Sequence, residues 1–358
     1  MTTHHRIGII GVGAIAEVHA LAVRDTPGAE LVAACCRTEA KGRAFCEKYG
    51  GDWFASAEAL IETAKPDVVC VCTPSGAHLE PTVAALQHGV HVLCEKPLEI
   101  DLDRARRMIA AEQASTARLG GVFPQRFNPV VSTAHAAAAA GRLGNLAVAS
   151  AYVPWWRDDA YYAPSRWQGT MRLDGGGALI NQAIHAVDAM QWLAAAAGAG
   201  PAVEAFGYTA QRGHAEGAIE VEDTAVASIR FESGALGLVL ASTAMWPGGA
   251  MRMHAGGRDG TIEIHEEELV TWRFREELPE DEATRTRFGD ARGAGGGADP
   301  MAINYSNHTR NLADFLSAID EGRPSLIGAA EACKSLAIIR AIYASAESGR
   351  PVAIEAIA

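Results

Sequence analysis

The chain has 358 residues, of which 49% are hydrophobic and 21% charged, and its net charge at pH 7 is −12. This length suits about two globular domains, and the acidic balance argues against nucleic acid or an anionic membrane as the main partner. The seven cysteines, an odd number, lie mostly in or beside apolar runs and indicate reduced core residues of a cytoplasmic protein. No signal peptide or apolar run of bilayer length is evident, and no His/Cys cluster predicts a metal site.

A glycine-rich turn follows the first predicted strand. The strand Arg6–Ile10 leads into Gly11-Val-Gly13-Ala-Ile-Ala16, and a helix begins at Ala14. Gly11 permits the tight turn, Gly13 lets the backbone approach a pyrophosphate, and Ala16 allows close packing of helix on strand. The helix N-terminus then presents free N–H groups to the phosphates. The residues predicted to contact a dinucleotide here are Gly11, Gly13, Ala14, Ile15 and Ala16.

The end of the second predicted strand, Glu30–Cys36, indicates which nicotinamide cofactor is bound. In enzymes that use NAD, an acidic residue about 20 positions beyond the glycines usually binds the ribose 2′-hydroxyl. This chain has Cys36 there, followed by Arg37 and Thr38. An arginine suits the 2′-phosphate of NADP, so the sequence favours NADP over NAD. The alternative is that Arg37 stacks on the adenine or points to water.

A third strand, Val68–Cys72, ends in a turn-rich segment. Thr73, Pro74 and His78 lie in this segment, and we expect them to contact the cofactor. Strands alternate with helices throughout this part of the chain, which predicts a doubly wound parallel sheet. Residues 1–122 are therefore predicted to form a nucleotide-binding domain.

The next strand stops at Glu95-Lys96-Pro97. Pro97 cannot donate to a sheet and keeps Lys96 out of the helical region, so Lys96 is held at a strand-to-helix turn. The carboxyl edge of such a sheet is where ligands bind, and a lysine there can exchange a proton. Glu95 and Lys96 are predicted to border the cofactor. For Lys96 taken alone, the alternative is an ordinary solvated lysine.

Residues 123–358 are predicted to form a second domain. Alternating apolar and polar residues, broken by short turns, recur between residues 202 and 275 and predict a mostly antiparallel sheet. The segment Pro279–Pro300 is rich in Gly, Asp and Glu without an apolar period, and it is predicted to be a surface loop.

Three residues early in this domain are candidates for substrate binding. Arg126 and Asn128 mark the crossing between the domains. Trp167 lies in an aromatic and polar segment, Trp155–Thr170. Such a segment can stack on a sugar ring and bind its hydroxyls, or it can cover a hydrophobic core.

A glycine loop and a helix, Asp174–Asp188, carry the second group of chemical residues. Asn181 and His185 are four residues apart and share a helix face, and Asp188 lies one turn beyond. His185 can exchange a proton near neutral pH, Asn181 can hydrogen-bond a substrate hydroxyl, and Asp188 can orient the imidazole. An isolated helix histidine would more simply be structural; together with Lys96, His185 is predicted to be catalytic.

Four segments resemble, in order and spacing, the glucose–fructose oxidoreductase/inositol dehydrogenase/MocA family: Gly11–Ala16, Cys72–His78, Glu95–Pro97 and Asp174–His185. The resemblance implies an NAD(P)-dependent sugar or polyol dehydrogenase with a Rossmann domain and a C-terminal α+β domain. It also implies a homodimer or homotetramer formed through the C-terminal sheet. Lys96 and His185 match the usual catalytic residues of the family. Asn181 replaces the usual Asp, and the resemblance is closer to members with Asn there, which include some that act on nucleotide-linked sugars.

The sequence therefore predicts hydride transfer between a nicotinamide cofactor, NADP or NAD, and a hydroxyl carbon of a sugar, polyol or nucleotide-sugar. Lys96 and His185 would exchange the proton at the reacting oxygen, with Asn181 fixing the substrate. Two alternatives remain open. One is a glycoside hydrolase of the same family that uses tightly held NAD, and the other is a non-catalytic sensor of sugar or cofactor.

Overall fold

The computed structural model describes residues 4–163, 165–289 and 305–357. The described chain divides into two compact units. The first unit contains residues 4–124, 305–336 and 357, and the second contains residues 125–163, 165–289 and 337–356. Residues 305–336, which the sequence places in the second domain, thus belong to the first unit. In the part of the chain that the structure describes, no helix is both long and apolar enough to span a bilayer.

The strands are β1 (His5–Ile10), β2 (Ala29–Cys35), β3 (Asp52–Phe54), β4 (Val68–Val71), β5 (His91–Cys94), β6 (Leu119–Gly121), β7 (Leu146–Pro154), β8 (Ala202–Ala210), β9 (Thr224–Phe231), β10 (Leu236–Ser242), β11 (Arg252–Gly257), β12 (Gly260–His265), β13 (Glu268–Phe274) and β14 (Val352–Ala353). The helices are α1 (Ala14–Arg24), α2 (Glu39–Tyr49), α3 (Ala57–Ala64), α4 (Leu79–Gln87), α5 (Leu102–Gln113), α6 (Pro129–Ala139), α7 (Ile184–Ala196), α8 (Pro279–Phe288), α9 (Ser306–Glu321) and α10 (Ala329–Ser348).

The first unit is built on a parallel sheet with strand order β3-β2-β1-β4-β5-β6. This is the order of a dinucleotide-binding sheet, and it confirms the predicted doubly wound fold. Ile9, Cys70 and Leu93 of the central strands are buried in one core with Leu312 and Phe315 of α9. The late helix α9 belongs to the first unit because its apolar face completes this core.

The second unit is built on a sheet with strand order β13-β12-β11-β7-β10-β9-β8-β14. Its neighbouring strands pair antiparallel except β7 and β10, which run parallel. The prediction of a mostly antiparallel sheet is therefore confirmed. Along β9 the burial alternates residue by residue, so that one face of the strand is covered and the other is open to solvent.

The predicted loop over Pro279–Pro300 is wrong for its first ten residues, which form α8. Asp281 is fully buried and explains the helix, because its carboxylate accepts the Leu278 N–H at 2.7 Å and the Trp272 Nε1–H at 2.6 Å. Arg142 adds a bidentate ion pair to the same carboxylate. These contacts hold the pKa of Asp281 well below its usual value, chiefly through Arg142. Residues 290–300 lie outside the described part of the chain.

Candidate functional site

The glycine turn after β1 has the geometry that a dinucleotide requires. Gly11 has φ +97°, and a Cβ at that position would lie 2.7 Å from the carbonyl oxygen of Cys72, so only glycine fits. At Gly13, no heavy atom of the described chain, apart from the adjoining residues, lies within 4 Å of the point a Cβ would occupy. Ala16 is fully buried against the sheet, while at the start of α1 Ala14 is exposed and Ile15 is half-buried. The open space at the N-terminus of α1 therefore suits a pyrophosphate.

The tip of β2 also fits a nicotinamide dinucleotide. The Arg37 side chain is exposed directly after the strand, next to the half-buried Cys36. The Cys36 thiol donates to the carbonyl oxygen of Thr38 at 3.2 Å, and Thr38 is the N-cap residue of α2. A guanidinium in this position is available to a ligand, and no carboxylate occupies the residues 36–38.

Polar side chains of the segment after β4 form hydrogen bonds to main-chain carbonyl groups. The Thr73 hydroxyl donates to the carbonyl oxygen of Ala77 at 2.9 Å, and Pro74 precedes a 3-10 turn. His78 is buried, and its ring nitrogens lie 2.9 Å from the carbonyl oxygen of Pro97 and 3.0 Å from that of Thr73. His78 was predicted to contact the cofactor. The structure instead uses it to join the segment after β4 to the turn that carries Lys96.

Lys96 lies immediately after β5, half-buried, and a cis peptide bond links it to Pro97. The Lys96 backbone N–H donates to Glu95 Oε2 at 3.1 Å. The other carboxylate oxygen, Oε1, lies 2.8 Å from Nε2 of His19 on α1. Glu95, which was predicted to border the cofactor, is buried, and its carboxylate joins the lysine turn to α1.

The ionisation of this buried group is unusual. Burial alone would raise the pKa of Glu95, but the hydrogen bond and charge of His19 outweigh it and lower that pKa to about 2. Burial alone would lower the pKa of His19, but interactions with Cys72 and Cys70 raise it. The Glu95 carboxylate also lies against the His19 ring. Burial lowers the pKa of His308 to about 4. His308 on α9 is buried, with its ring 5.9 Å from that of His19.

In the second unit, Glu222 organises the start of the second motif. Its carboxylate accepts the N–H groups of Gly177 at 2.8 Å and Leu179 at 2.9 Å, and the hydroxyl of Tyr343 at 2.9 Å. Burial raises the pKa of Glu222. The residues that follow, Ala178–Ala183, form a π-helical turn that continues into α7. Glu222 could not be identified from the sequence, because a single acidic residue before a strand carries no local signal of a partner 45 residues away.

Asn181 lies on the π-helical turn and His185 on the first turn of α7, both half-buried. Asn181 Nδ2 donates to Asp174 Oδ1 at 2.7 Å, and Asn181 Oδ1 accepts from Gln182 Nε2 at 3.1 Å. Asp174 is 1% exposed. The four-residue spacing keeps Asn181 and His185 about one turn apart, and the buried carboxylate behind Asn181 was not anticipated from the sequence.

The structure assigns Arg126 and Asp188 to each other. Arg126 Nε and Nη2 donate to the two carboxylate oxygens of Asp188, each at 2.7 Å, and the residues are 1% and 0% exposed. The guanidinium also lies over the Trp192 ring at 5.2 Å. Arg126 was predicted to bind substrate and Asp188 to orient His185. The buried, bidentate pair occupies the Arg126 guanidinium with Asp188 rather than leaving it to a substrate.

Asn128 also has a structural role. It is buried and caps α6 by accepting the Val130 N–H at 3.0 Å, which explains its position before Pro129 better than a substrate contact does. Trp167 is half-buried in the aromatic segment. That segment borders a cavity of about 380 Å³ in the second unit, whose lining includes Tyr162, Arg166, Thr170 and Glu220.

Comparison with known proteins defines the class of the chain. Residues 5–121 match the family model of the oxidoreductase family with an NAD-binding Rossmann fold, and residues 131–263 match the GFO/IDH/MocA C-terminal domain. The two matches place the chain among the oxidoreductases with an NAD-binding Rossmann fold. The chain belongs to the Gfo/Idh/MocA family, as the sequence motifs indicate.

Named relatives act on sugars. The chain is 31% identical over 238 residues to 1,5-anhydro-D-fructose reductase of Ensifer adhaerens, covering 65% of this chain and 67% of the relative. It is 33% identical over 196 residues to D-glucoside 3-dehydrogenase of Escherichia coli, spanning about half of each protein, 52% and 53%. The solved WlbA dehydrogenase of Bordetella pertussis, in complex with NADH and UDP-GlcNAcA, is similar with a TM-score of 0.89, 27% identity and 99% of each chain covered.

Proposed function

We propose that the chain is a dehydrogenase that oxidises a hydroxyl carbon of a sugar, polyol or nucleotide-sugar, or catalyses the reverse reduction. One observation carries this proposal. The adjacent parallel strands β1, β4 and β5 end at one edge of the sheet in the open Gly13 turn, the Thr73 segment and Lys96. A dinucleotide site and a fixed lysine thus share the edge at which such sheets bind ligands. The first unit would bind the cofactor, and the second would bind the substrate.

The glycine turn, Arg37, Thr73 and Lys96 would hold the cofactor, which when bound supplies the hydride acceptor or donor. In the oxidative direction the substrate loses a C–H hydride to that acceptor and its hydroxyl proton to the protein, and a carbonyl bond forms. We assign Lys96 to the reacting oxygen and His185 to the general base. Asn181 would donate a hydrogen bond to a neighbouring substrate hydroxyl or accept one from it.

For the cofactor, we propose a preference for NADP. The support is the exposed Arg37 at the tip of β2, where an acidic residue would select NAD. Replacing Arg37 with Ala is expected to reduce the ratio of kcat/KM for NADP over NAD about tenfold or more, because a charge-assisted contact to the phosphate is lost. Steady-state assays with both cofactors measure the ratio. An unchanged ratio would refute this role for Arg37.

A spectrophotometric screen tests the dehydrogenase proposal. It pairs NAD and NADP with inositols, free hexoses, anhydrosugars and nucleotide-sugars, in wild type, K96M and the control K334M, which removes an exposed lysine of α10. We expect turnover in wild type and K334M and its loss in K96M. Equal turnover in all three proteins would show that Lys96 has no role in catalysis. Glycone release without net cofactor reduction would indicate the hydrolase, and ligand binding without chemistry would indicate the sensor.

We also propose that the chain forms a homodimer, or a tetramer built from such dimers, through the second sheet. Its open face carries apolar residues on adjacent strands, where Tyr208 is paired with Val226 and Val148 with Leu236. These side chains are 67%, 44%, 36% and 52% exposed, respectively. A large exposed apolar patch of this kind marks an association surface. Light scattering should show an oligomer that L236R dissociates and that L326R, at an exposed leucine of the first unit, leaves intact; a monomeric wild type would refute the proposal.

A further inference from the structure

A continuous chain of hydrogen bonds runs through the second motif, from a buried cation to a buried anion. Arg157 Nη2 donates to Gln182 Oε1 at 3.0 Å, and Gln182 Nε2 donates to Asn181 Oδ1 at 3.1 Å. Asn181 Nδ2 in turn donates to Asp174 Oδ1 at 2.7 Å. The backbone N–H of Gly169 donates to the other oxygen of Asp174 at 2.8 Å. Each of the three links from Arg157 to Asp174 therefore has its donor on the side of Arg157 and its acceptor on the side of Asp174.

The charged ends determine the orientation of both carboxamides between them. A guanidinium can only donate, so the atom of Gln182 that it contacts must be the oxygen, and the Gln182 nitrogen must face Asn181. An ionised carboxylate can only accept, so Asn181 must turn its nitrogen to Asp174. Arg157 and Asp174 are both buried, with exposures of 4% and 1%. In such surroundings aligned hydrogen bonds reinforce one another, and a reversed amide would break two links at once.

This polarity explains why position 181 carries Asn. An aspartate there would still accept from Gln182, but it would bring a second carboxylate to within hydrogen-bonding distance of Asp174. Two carboxylates so close cannot both be ionised, so one would have to take up a proton. The carboxylate at 174 and the carboxamide at 181 are therefore complementary, and changing one requires changing the other.

We infer that Asp174 is a positioning residue of the proposed active site. It fixes the Asn181 carboxamide through the Arg157–Gln182–Asn181–Asp174 chain, and it keeps the negative charge one hydrogen bond behind the helix face that carries His185. Position 181, one turn before His185, is uncharged as a result, whereas Asp188, one turn beyond His185, is paired with Arg126. The inference about His185 rests on the proposed function, whereas the pairing of positions 174 and 181 stands on the hydrogen bonds alone.

An exchange of the two residues isolates the position of the charge. In D174N/N181D the new carboxamide oxygen at 174 can accept from Gly169 while its nitrogen donates to the new carboxylate at 181, which still accepts from Gln182. Every hydrogen bond named above keeps a donor and an acceptor. The negative charge, however, moves to the position one turn from His185, where side chains three or four residues apart are about 5–6 Å from each other.

The experiment compares wild type, D174N, N181D, the exchange and the control E216Q, which removes one exposed carboxylate of the same unit. Two quantities are measured on the full chain: the thermal unfolding midpoint and the His185 titration, followed by NMR with ¹³C-labelled histidine and assigned with H185Q. We expect N181D to have the lowest midpoint and the exchange to recover most of the loss. The apparent pKa of His185 should rise in the exchange by about one unit, because a carboxylate now lies within about 4–6 Å. In E216Q neither quantity should change.

Activity provides a separate reading. If wild type is a dehydrogenase, the acid limb of the pH profile of kcat/KM should lie at higher pH in the exchange variant than in wild type. The difference should equal the rise in the His185 pKa, since His185 must be neutral to act as base. Wild type without turnover would refute the proposed function and leave the NMR result to decide the inference. An exchange variant as unstable as N181D, or one in which His185 titrates as in wild type, would overturn the inference.

Discussion

The buried pair of Arg126 and Asp188 allows two roles of Arg126, substrate binding and stabilisation of the fold, to be tested against each other. From the sequence, Arg126 binds substrate; in the structure, its guanidinium is occupied by two hydrogen bonds of 2.7 Å to a carboxylate that is 0% exposed. Replacing Arg126 with Met preserves most of the volume but leaves the Asp188 charge without the guanidinium. If the structural role is correct, stability falls and the Michaelis constant for substrate does not change.

The expected size of the effect follows from burial. Removing one partner of a fully buried ion pair costs about 3–5 kcal/mol, because a charge remains in a medium that solvates it poorly. Exposed pairs contribute far less, about 0–1 kcal/mol. The pair Arg106 and Asp103 is such a control, with side chains 42% and 87% exposed. The variant R126M should therefore lower the free energy of unfolding several times more than R106M does.

The assay is urea unfolding of the full chain, followed by fluorescence and by circular dichroism, with R126M, D188L, R126M/D188L and R106M. The double variant replaces both charges by apolar groups and should recover most of the stability lost in either single variant. Steady-state kinetics on the same proteins complete the test. An R126M protein as stable as wild type, with KM raised tenfold or more, would restore Arg126 to the substrate site and refute the structural role.

Three further predictions concern the first unit. The variant G13A should fold as stably as wild type, because its methyl group enters open space. It should nevertheless weaken NADH or NADPH binding tenfold or more by calorimetry, because that space suits the pyrophosphate. The variant G11A should lose stability as well, since its Cβ would meet the Cys72 carbonyl. H19L should lower the unfolding free energy by about 3 kcal/mol at pH 7 by leaving Glu95 buried without its cation, whereas the exposed H88L should change little. The pKa of Glu95 is lowered from 4.5 to about 2, so its ionised form stabilises the fold fully above pH 4.5 and ceases to do so as the pH falls through about 2. Unfolding of E95Q should accordingly depend less on pH than that of wild type across this window, which amounts to about 3 kcal/mol; equal slopes would contradict the ion pair.

Local features carried most of what could be predicted. The Rossmann sheet follows from short apolar strands alternating with helices, and the glycine turn follows from residues adjacent in sequence. The lysine turn also depends on its neighbours, since Pro97 restricts Lys96 directly. The start of α8 was available locally too, because Pro279 precedes acidic residues in the first turn, a helix signal that the Gly- and Asp-rich composition obscured.

The partners of the polar residues were decided only by the tertiary structure. Arg126 meets Asp188 across 62 residues, and Glu222 reaches Gly177 across 45. His308 is buried on α9, and its sequence neighbours do not reveal the core that this helix completes. A hydrogen bond or ion pair requires its two groups within about 3 Å, and for residues far apart in sequence that distance is set by the packing of whole elements. The sequence thus determined which chemical groups the chain contains and on which elements they lie, whereas folding determined which of those groups remain for a ligand and which are used to hold the protein together.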